Sequence, residues 1–164
     1  MAVLDFDWAP RAPWLRGLVD LFRRPARLQI AALCYRVPKG AAEPEVLLVT
    51  TRDTGRWIIP KGWPEPDKPA FETAVIEAYE EAGVVGKPER RVFGQFRSFK
   101  GLSNGLTLRT KVLVFKIRAT KLLDSFPEKG QRKLAWVPVS QAIEQANEKG
   151  LQKLLRRFKA ETAV

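Results

Sequence analysis

Histidine is absent from the 164 residues, and cysteine and methionine occur once each. Without an imidazole there is no Ser-His-Asp or Cys-His catalysis, no His-ligated zinc and no imidazole proton shuttle near neutral pH. One cysteine forms no internal disulfide and no cysteine-rich zinc site, and Cys34, set inside an apolar run, reads as a small buried hydrophobe. Long hydrophobic runs are lacking as well. Leu28 to Tyr35 and Val46 to Val49 fall far short of the ~20 residues that cross a bilayer, and Asp5 and Asp7 stand close to the start. The expectation is a soluble, cytoplasmic protein with no membrane partner. Its chemistry must come from carboxylates, Lys, Arg, Tyr, hydroxyls or a hard cation held on oxygen ligands.

What is present begins with charge: 29 Lys and Arg against 18 Asp and Glu, a net +11. Residues 61–90 hold four bases and seven acids, whereas residues 91–120 hold seven bases and no acid. Two solvated faces would account for this; so would a carboxylate cluster beside a surface that receives a polyanion. With 45% hydrophobic residues the chain has enough apolar area for one real core.

Residues 1–27 read as an irregular, Pro- and aromatic-rich arm followed by a short amphipathic helix from Pro13 to Arg24, and residues 28–164 as a single domain. Strands are expected over Leu28–Arg36, Glu45–Thr51, Trp57–Ile59, Arg91–Phe99, Thr107–Ile117 and Leu134–Val137, with a turn from Gly101 to Gly105. Prolines and glycines between Lys61 and Pro69 argue against regular structure there. A helix is expected over Ala70–Glu81, stopped by Gly83, and two more over Ser140–Glu148 and Leu151–Lys159.

On the first of these helices Phe71, Ala74, Val75, Ala78 and Ala82 share one face, the expected core face. Glu77, Glu80 and Glu81 stand at i, i+3 and i+4 on the opposite side. Three like charges at that spacing repel. An exposed face tolerates the cost, and a divalent cation would turn it into binding energy.

The run from Gly62 through Glu77, Glu80, Glu81 and Gly83 to Val84 is similar to the Nudix box, G-x5-E-x7-R-E-U-x-E-E-x-G-U, where U is a bulky aliphatic. The spacing is kept throughout, and the resemblance covers about residues 28–148. Within that superfamily the chain most resembles the diphosphoinositol and dinucleoside polyphosphate hydrolases. The residues that carry this are Ala31–Arg36, Arg52-Asp53 leading to Arg56–Pro60, Glu80–Gly86, and Gly130–Lys133 before Trp136. Two departures from the box matter, Lys68 in place of its first Glu and Ile76 in place of its Arg, while Ala78 is a small version of its aliphatic position. The family Arg orients the glutamate matching Glu77, so Ile76 removes a charge-assisted restraint.

The resemblance implies an α+β Nudix fold, a mixed sheet sandwiched between helices. It also implies Mg²⁺ or Mn²⁺ on Glu77, Glu80, Glu81 and the backbone carbonyl of Lys61, with water attack on a phosphoanhydride and Glu77, Glu80 and Glu81 as catalytic residues. Glu128 is a weaker candidate for a further ligand or base, more simply read as a solvated loop acid. Arg27, Arg52, Arg56, Lys61, Arg109, Lys111, Arg132 and Lys133 are candidate phosphate-binding residues, favouring a polyphosphorylated small-molecule partner. Trp57, Trp63 and Phe99 could stack on a base or simply pack. A catalytically weakened ligand sensor and an RNA-binding or decapping-type protein remain alternatives, the latter on charge alone. Monomer and homodimer are both open.

Overall fold

The computed structural model describes residues 26–101 and 106–163. The expected arm and helix, up to residue 25, and residues 102–105 of the expected turn lie outside the described residues. In chain order the elements are β1 (Arg27–Arg36), β2 (Glu45–Thr50), β3 (Trp57–Ile58), β4 (Lys61–Gly62), α1 (Ala70–Ala82), β5 (Val84–Pro88), β6 (Gly94–Gly101), β7 (Thr107–Leu122), β8 (Leu134–Pro138), α2 (Val139–Gln145) and α3 (Lys149–Thr162).

The apolar runs are continuous because the sheet is covered on both faces. Side-chain parity divides each strand between two cores. Ala31 and Leu33 of β1, Val46 and Leu48 of β2, and Val112 and Val114 of β7 pack with Leu151, Leu155 and Phe158 of α3. Their neighbours Ile30, Ala32 and Cys34, Leu47 and Val49, and Phe115 and Ile117 pack with Ala74, Ala78 and Ala82 of α1. Helices therefore lie on both faces of a mixed sheet, as expected. Cys34 is buried, and burial pushes its thiol pKa up, so it behaves as the small hydrophobe the sequence suggests.

β1 is the centre of this sheet. One edge pairs in parallel with β7, from Arg27 opposite Thr110 to Tyr35 opposite Arg118. Its other edge is shared. Tyr35 and Arg36 pair with β2, whereas Ile30 and Ala31 pair with Gly62 and Lys61 of β4. Since two partners divide that edge, β1 and β2 diverge, and Gln29, Thr51, Ile58 and Lys61 from either side of the divergence line a common cleft.

Several elements differ from the sequence reading. Lys61 and Gly62 form a short strand despite the flanking prolines, because the missing N–H groups of Pro60 and Pro64 fall outside the two paired residues. β5 follows directly after α1 and is not expected from its mixed composition; β7 runs on to Leu122 to pair with it. β6 begins at Gly94 rather than Arg91, and α3 begins at Lys149 and extends to Thr162. Among the described residues no helix is long and apolar enough to cross a membrane.

Gly83 makes the sharp passage from α1 into β5. Its φ of 65° is left-handed, and its N–H donates to Tyr79 O at 2.8 Å. A Cβ there would stand 2.5 Å from the Phe126 ring and 2.8 Å from Leu123 O. Gly83→Ala is expected to destabilise the fold by at least ~2 kcal/mol, through left-handed strain and overlap together. Urea unfolding midpoints at unchanged m-value would measure it.

Candidate functional site

The loop between β4 and α1 is anchored where Glu65 N–H donates to Thr73 Oγ1 at 3.2 Å. Gly62 then passes under the middle of the helix. A Cβ on Gly62 would fall 1.7 Å from Glu77 Oε1, so the absence of a side chain is what makes room for that carboxylate. One residue earlier, Lys61 N–H points at Glu81 Oε2, 3.4 Å away. The glycine that opens the motif and the acids that close it therefore meet in space.

Glu81 is 4% exposed rather than set on a solvated face. Its Oε1 accepts from Arg132 Nη2 at 2.6 Å. Arg132 is itself buried and spends its other nitrogens inward, Nε on Glu128 Oε2 at 2.9 Å and Nη1 on Thr50 O at 3.0 Å. Glu128 is brought here by its own backbone, whose N–H donates to Glu80 O at 2.9 Å. Arg52 approaches Glu128 at 3.8 Å and bonds Gln131 Oε1 at 3.2 Å.

Burial pushes the Glu77 carboxyl up to about 7, helped by the charges of Glu81, Glu80 and Glu128 and opposed by Arg132. Burial likewise raises Glu81 to about 7, against the pull of Arg132 and Lys61. Both groups hold their charge at a cost that a further cation would remove.

The cleft has a volume of about 510 Å³. Glu77, Glu80, Glu81 and Glu128 line it, with Arg52, Arg56, Lys61 and Arg132 from the basic candidates and Trp63 and Phe99 from the aromatic ones. Arg27, Arg109, Lys111 and Lys133 do not line it, nor do Lys68 and Ile76. Trp57 packs against the core beside α2 and α3. Glu128 is paired with Arg132 and lines the cleft, which overturns its reading as a solvated loop acid. Arg132 lies deep in a carboxylate network, where its fork is already engaged. The sequence reading missed Gln29, Ser98 and Glu148, which also line the cleft. Gln29, a polar residue inside an apolar strand, was a usable signal; Glu148, expected at the end of a helix that in fact stops at Gln145, offered none.

Among the described residues no three acidic side chains are already gathered closely enough to enclose a metal ion. The donor set nonetheless fits a hard divalent cation: two desolvated carboxylates, both oxygen donors, held at charge-unfavourable separation beside a backbone strand.

A family model described as NUDIX domain matches residues 27–158. Diphosphoinositol polyphosphate phosphohydrolase 3-alpha of Mus musculus is 36% identical over 116 residues, which is 69% of this chain and 65% of that protein. The chain thus spans just under two thirds of the length of that curated relative. The crystal structure of a C. elegans Ap4A hydrolase binary complex superposes with a TM-score of 0.61 at 21% identity, over 83% of this chain and 97% of the other. The NUDIX domain of Shewanella oneidensis NrtR, complexed with ADP ribose, gives 0.62 at 15% identity over 94% and 100%. At such identities the likeness to these two structures is one of fold.

A pH dependence follows from the raised carboxyls. Glu77 and Glu81 titrate near 7 when folded against an ordinary 4.5, so between these values the folded chain binds more protons than the unfolded one. Their contribution to stability is greatest below the ordinary value and is lost as pH rises through about 7. In chelator, Glu77→Gln is expected to flatten the decline of Tm between about pH 5 and about pH 8 relative to the parent, and Mg²⁺ is expected to flatten it in the parent. Parallel Tm profiles for parent and variant would show that Glu77 does not carry this cost.

Proposed function

The chain belongs to the NUDIX domain family, and from that premise we propose that it is a metal-dependent hydrolase that cleaves phosphoanhydride bonds in a polyphosphorylated small molecule. The observation that carries the reading is the seating of Glu77 against Gly62, with Glu81 one turn along and both carboxyls desolvated. Support for the substrate class comes from relatives named for diphosphoinositol polyphosphate and Ap4A, and from Arg52, Arg56 and Lys61 on the cleft wall.

Glu77, Glu81, Glu80 and the backbone carbonyl of Lys61 would hold Mg²⁺ or Mn²⁺. When bound, such a cation supplies charge neutralisation for phosphate oxygens and lowers the pKa of water. Arg132 fixes Glu81 by a buried ion pair and keeps Glu128 turned toward the cleft. Glu77, seated over Gly62 and with a carboxyl near 7, is suited to accept a proton from the attacking water at neutral pH. Arg52 and Arg56 at the mouth present guanidinium forks to the phosphate chain.

Glu77→Gln is the clean test, because Glu81→Gln would also break the buried pair with Arg132. Its kcat/KM is expected to fall about 10²-fold or more, equal to roughly 2.7 kcal/mol of transition-state stabilisation. The measurement is hydrolysis of an inositol pyrophosphate, a dinucleoside polyphosphate, a nucleotide sugar and pyrophosphate with Mg²⁺ and with Mn²⁺. Near-parental turnover by Glu77→Gln at saturating metal would remove the proposed site. Tight binding without hydrolysis of any compound would replace the enzyme by a ligand sensor. Since Lys68 is exposed and away from the cleft, Lys68→Glu is expected to leave metal affinity within about twofold of the parent, as a remote surface charge does.

A further inference from the structure

The chain from Trp57 to Gly62 bridges the divergence of β1 and β2. Lys61 and Gly62 pair with Ala31 and Ile30 of β1, whereas Trp57 and Ile58 pair with Thr50 and Val49 of β2. The two ends are thus held separately, the far one under the carboxylates of α1 and the near one beside Arg56 on the cleft wall. The near end is a strand of only two residues. Arg56 O accepts from Thr51 N–H at 2.9 Å on the β2 side. Successive backbone groups of a strand turn to opposite edges, so Trp57 presents its own N–H and C=O away from β2. Among the described residues no strand pairs with that edge.

Asn147 takes the place of one. Its Oδ1 accepts from Trp57 N–H at 2.7 Å, and its own N–H donates to Trp57 O at 3.2 Å. A single residue therefore supplies the acceptor and the donor that a neighbouring strand would supply. It does so from the turn between α2 and α3, and that turn is itself fixed. Ala146 is buried, its N–H donates to Ala142 O at 2.9 Å, and its carbonyl accepts from Gln152 Nε2 at 2.8 Å. On the other side Glu148 O accepts from Gln152 N–H at 2.9 Å. Asn147 is exposed and does not line the cleft, so it neither fills core nor meets the cleft's contents.

The two arginines of the β2–β3 turn are secured differently. Arg52 reaches across to Gln131 Oε1 and toward Glu128, on the loop before β8. Arg56 bonds within the turn, its N–H to Thr51 Oγ1 at 3.0 Å and its Nε to Thr54 Oγ1 at 3.1 Å. What anchors Arg56 to the rest of the molecule is the next residue, Trp57. We propose that Asn147 is a positioning residue, fixing Trp57 so that Arg56 meets the phosphate chain at the mouth of the cleft. The inference rests on the hydrolase reading for the role of Arg56. Lys61 and Gly62, held by β1, keep their place beside Glu77 and Glu81 without Asn147, so its effect falls on substrate binding rather than on the chemical step.

The test measures Kd for inorganic tripolyphosphate with Mg²⁺ by calorimetry on the full chain, and kcat and KM on whichever phosphoanhydride the parent hydrolyses, at ~0.15 M salt to screen added charge. Asn147→Ala keeps the backbone N–H and loses Oδ1. It is expected to raise Kd and KM about five- to tenfold, the scale of one misplaced charge-assisted contact, with kcat within about twofold of the parent. Its Tm is expected to fall by only about 2–4 °C, as the loss of one exposed hydrogen bond implies. Asn147→Asp keeps an acceptor for Trp57 N–H and is expected to stay within about twofold of the parent in Kd and KM. Hydrogen exchange at the Trp57 amide reports the tether directly, faster in the alanine variant and parental in the aspartate one. On an Arg56→Ala background Asn147→Ala is expected to add less than about twofold, whereas on Arg52→Ala it keeps its full effect. Unchanged Kd and KM despite faster exchange at Trp57, a fall in kcat at constant KM, or equal effects on the two arginine backgrounds would overturn the proposal. So would an aspartate variant that protects the Trp57 amide without restoring affinity. If the parent hydrolyses no compound yet Kd follows this pattern, the hydrolase reading fails and the positioning role stands; hydrolysis with equal effects on both backgrounds does the reverse.

Discussion

A guanidinium group withdrawn from water holds the centre of this molecule together. Arg132 reaches from the loop before β8 to the last turn of α1, through Glu81; to the end of β2, through Thr50 O; and to its own loop, through Glu128. Burying such a pair is not itself a strong source of stability, because desolvation offsets most of the attraction. Breaking it by removing one partner is another matter, at about 3–5 kcal/mol, since the remaining charge is left stranded. The arrangement therefore fixes geometry more than it adds stability: Glu81 has one oxygen committed and Glu128 is pointed inward.

Around that anchor α1 is fastened along its length. Thr73 receives the loop from β4 near its start, Gly62 packs under Glu77 at its middle, and Glu80 O and Gly83 O receive Glu128 and Leu123 at its end. The fastenings come from two segments, residues 62–65 and residues 123–128, so the carboxylates are set by the tertiary structure rather than by side-chain rotamers alone. Preorganised charge of this kind costs nothing to rearrange at the moment of reaction, which is why it is effective in catalysis.

Much of this was legible in the residues. Strand parity, the apolar face of α1, the left-handed Gly83 and the spacing from Gly62 to Glu81 all express local rules that tertiary contacts reinforced. The less legible parts involve burial of charge. Nothing local distinguishes a glutamate on a solvated face from Glu81, because what buries it is Arg132, far along the chain. For the same reason Arg132 resembles a free phosphate ligand and Glu128 a loop acid until their meeting is known. β5 was hidden for another reason: it is a short edge segment with Gly, Lys and Pro in it, and its pairing comes from the extension of β7. Gln29 shows the opposite case, a residue whose conflict with its apolar strand was itself informative.

The parallel union of β1 with β7 bears on how the chain is made. Arg27 lies opposite Thr110, so about eighty residues separate the partners of the central ladder, and the loop-closure entropy precedes any reward from pairing. Emerging from a ribosome at roughly 5–20 residues per second, β1 would spend several seconds with both apolar faces uncovered before β7 exists to receive it. During that interval α1 and β2 can shelter only part of it, and the segment Ile30-Ala31-Ala32-Leu33-Cys34, free of charge and of proline, is the stretch most exposed to mispairing with another nascent chain. Arg27 and Arg36 bracket that stretch with positive charge, a placement that discourages stacking of identical strands.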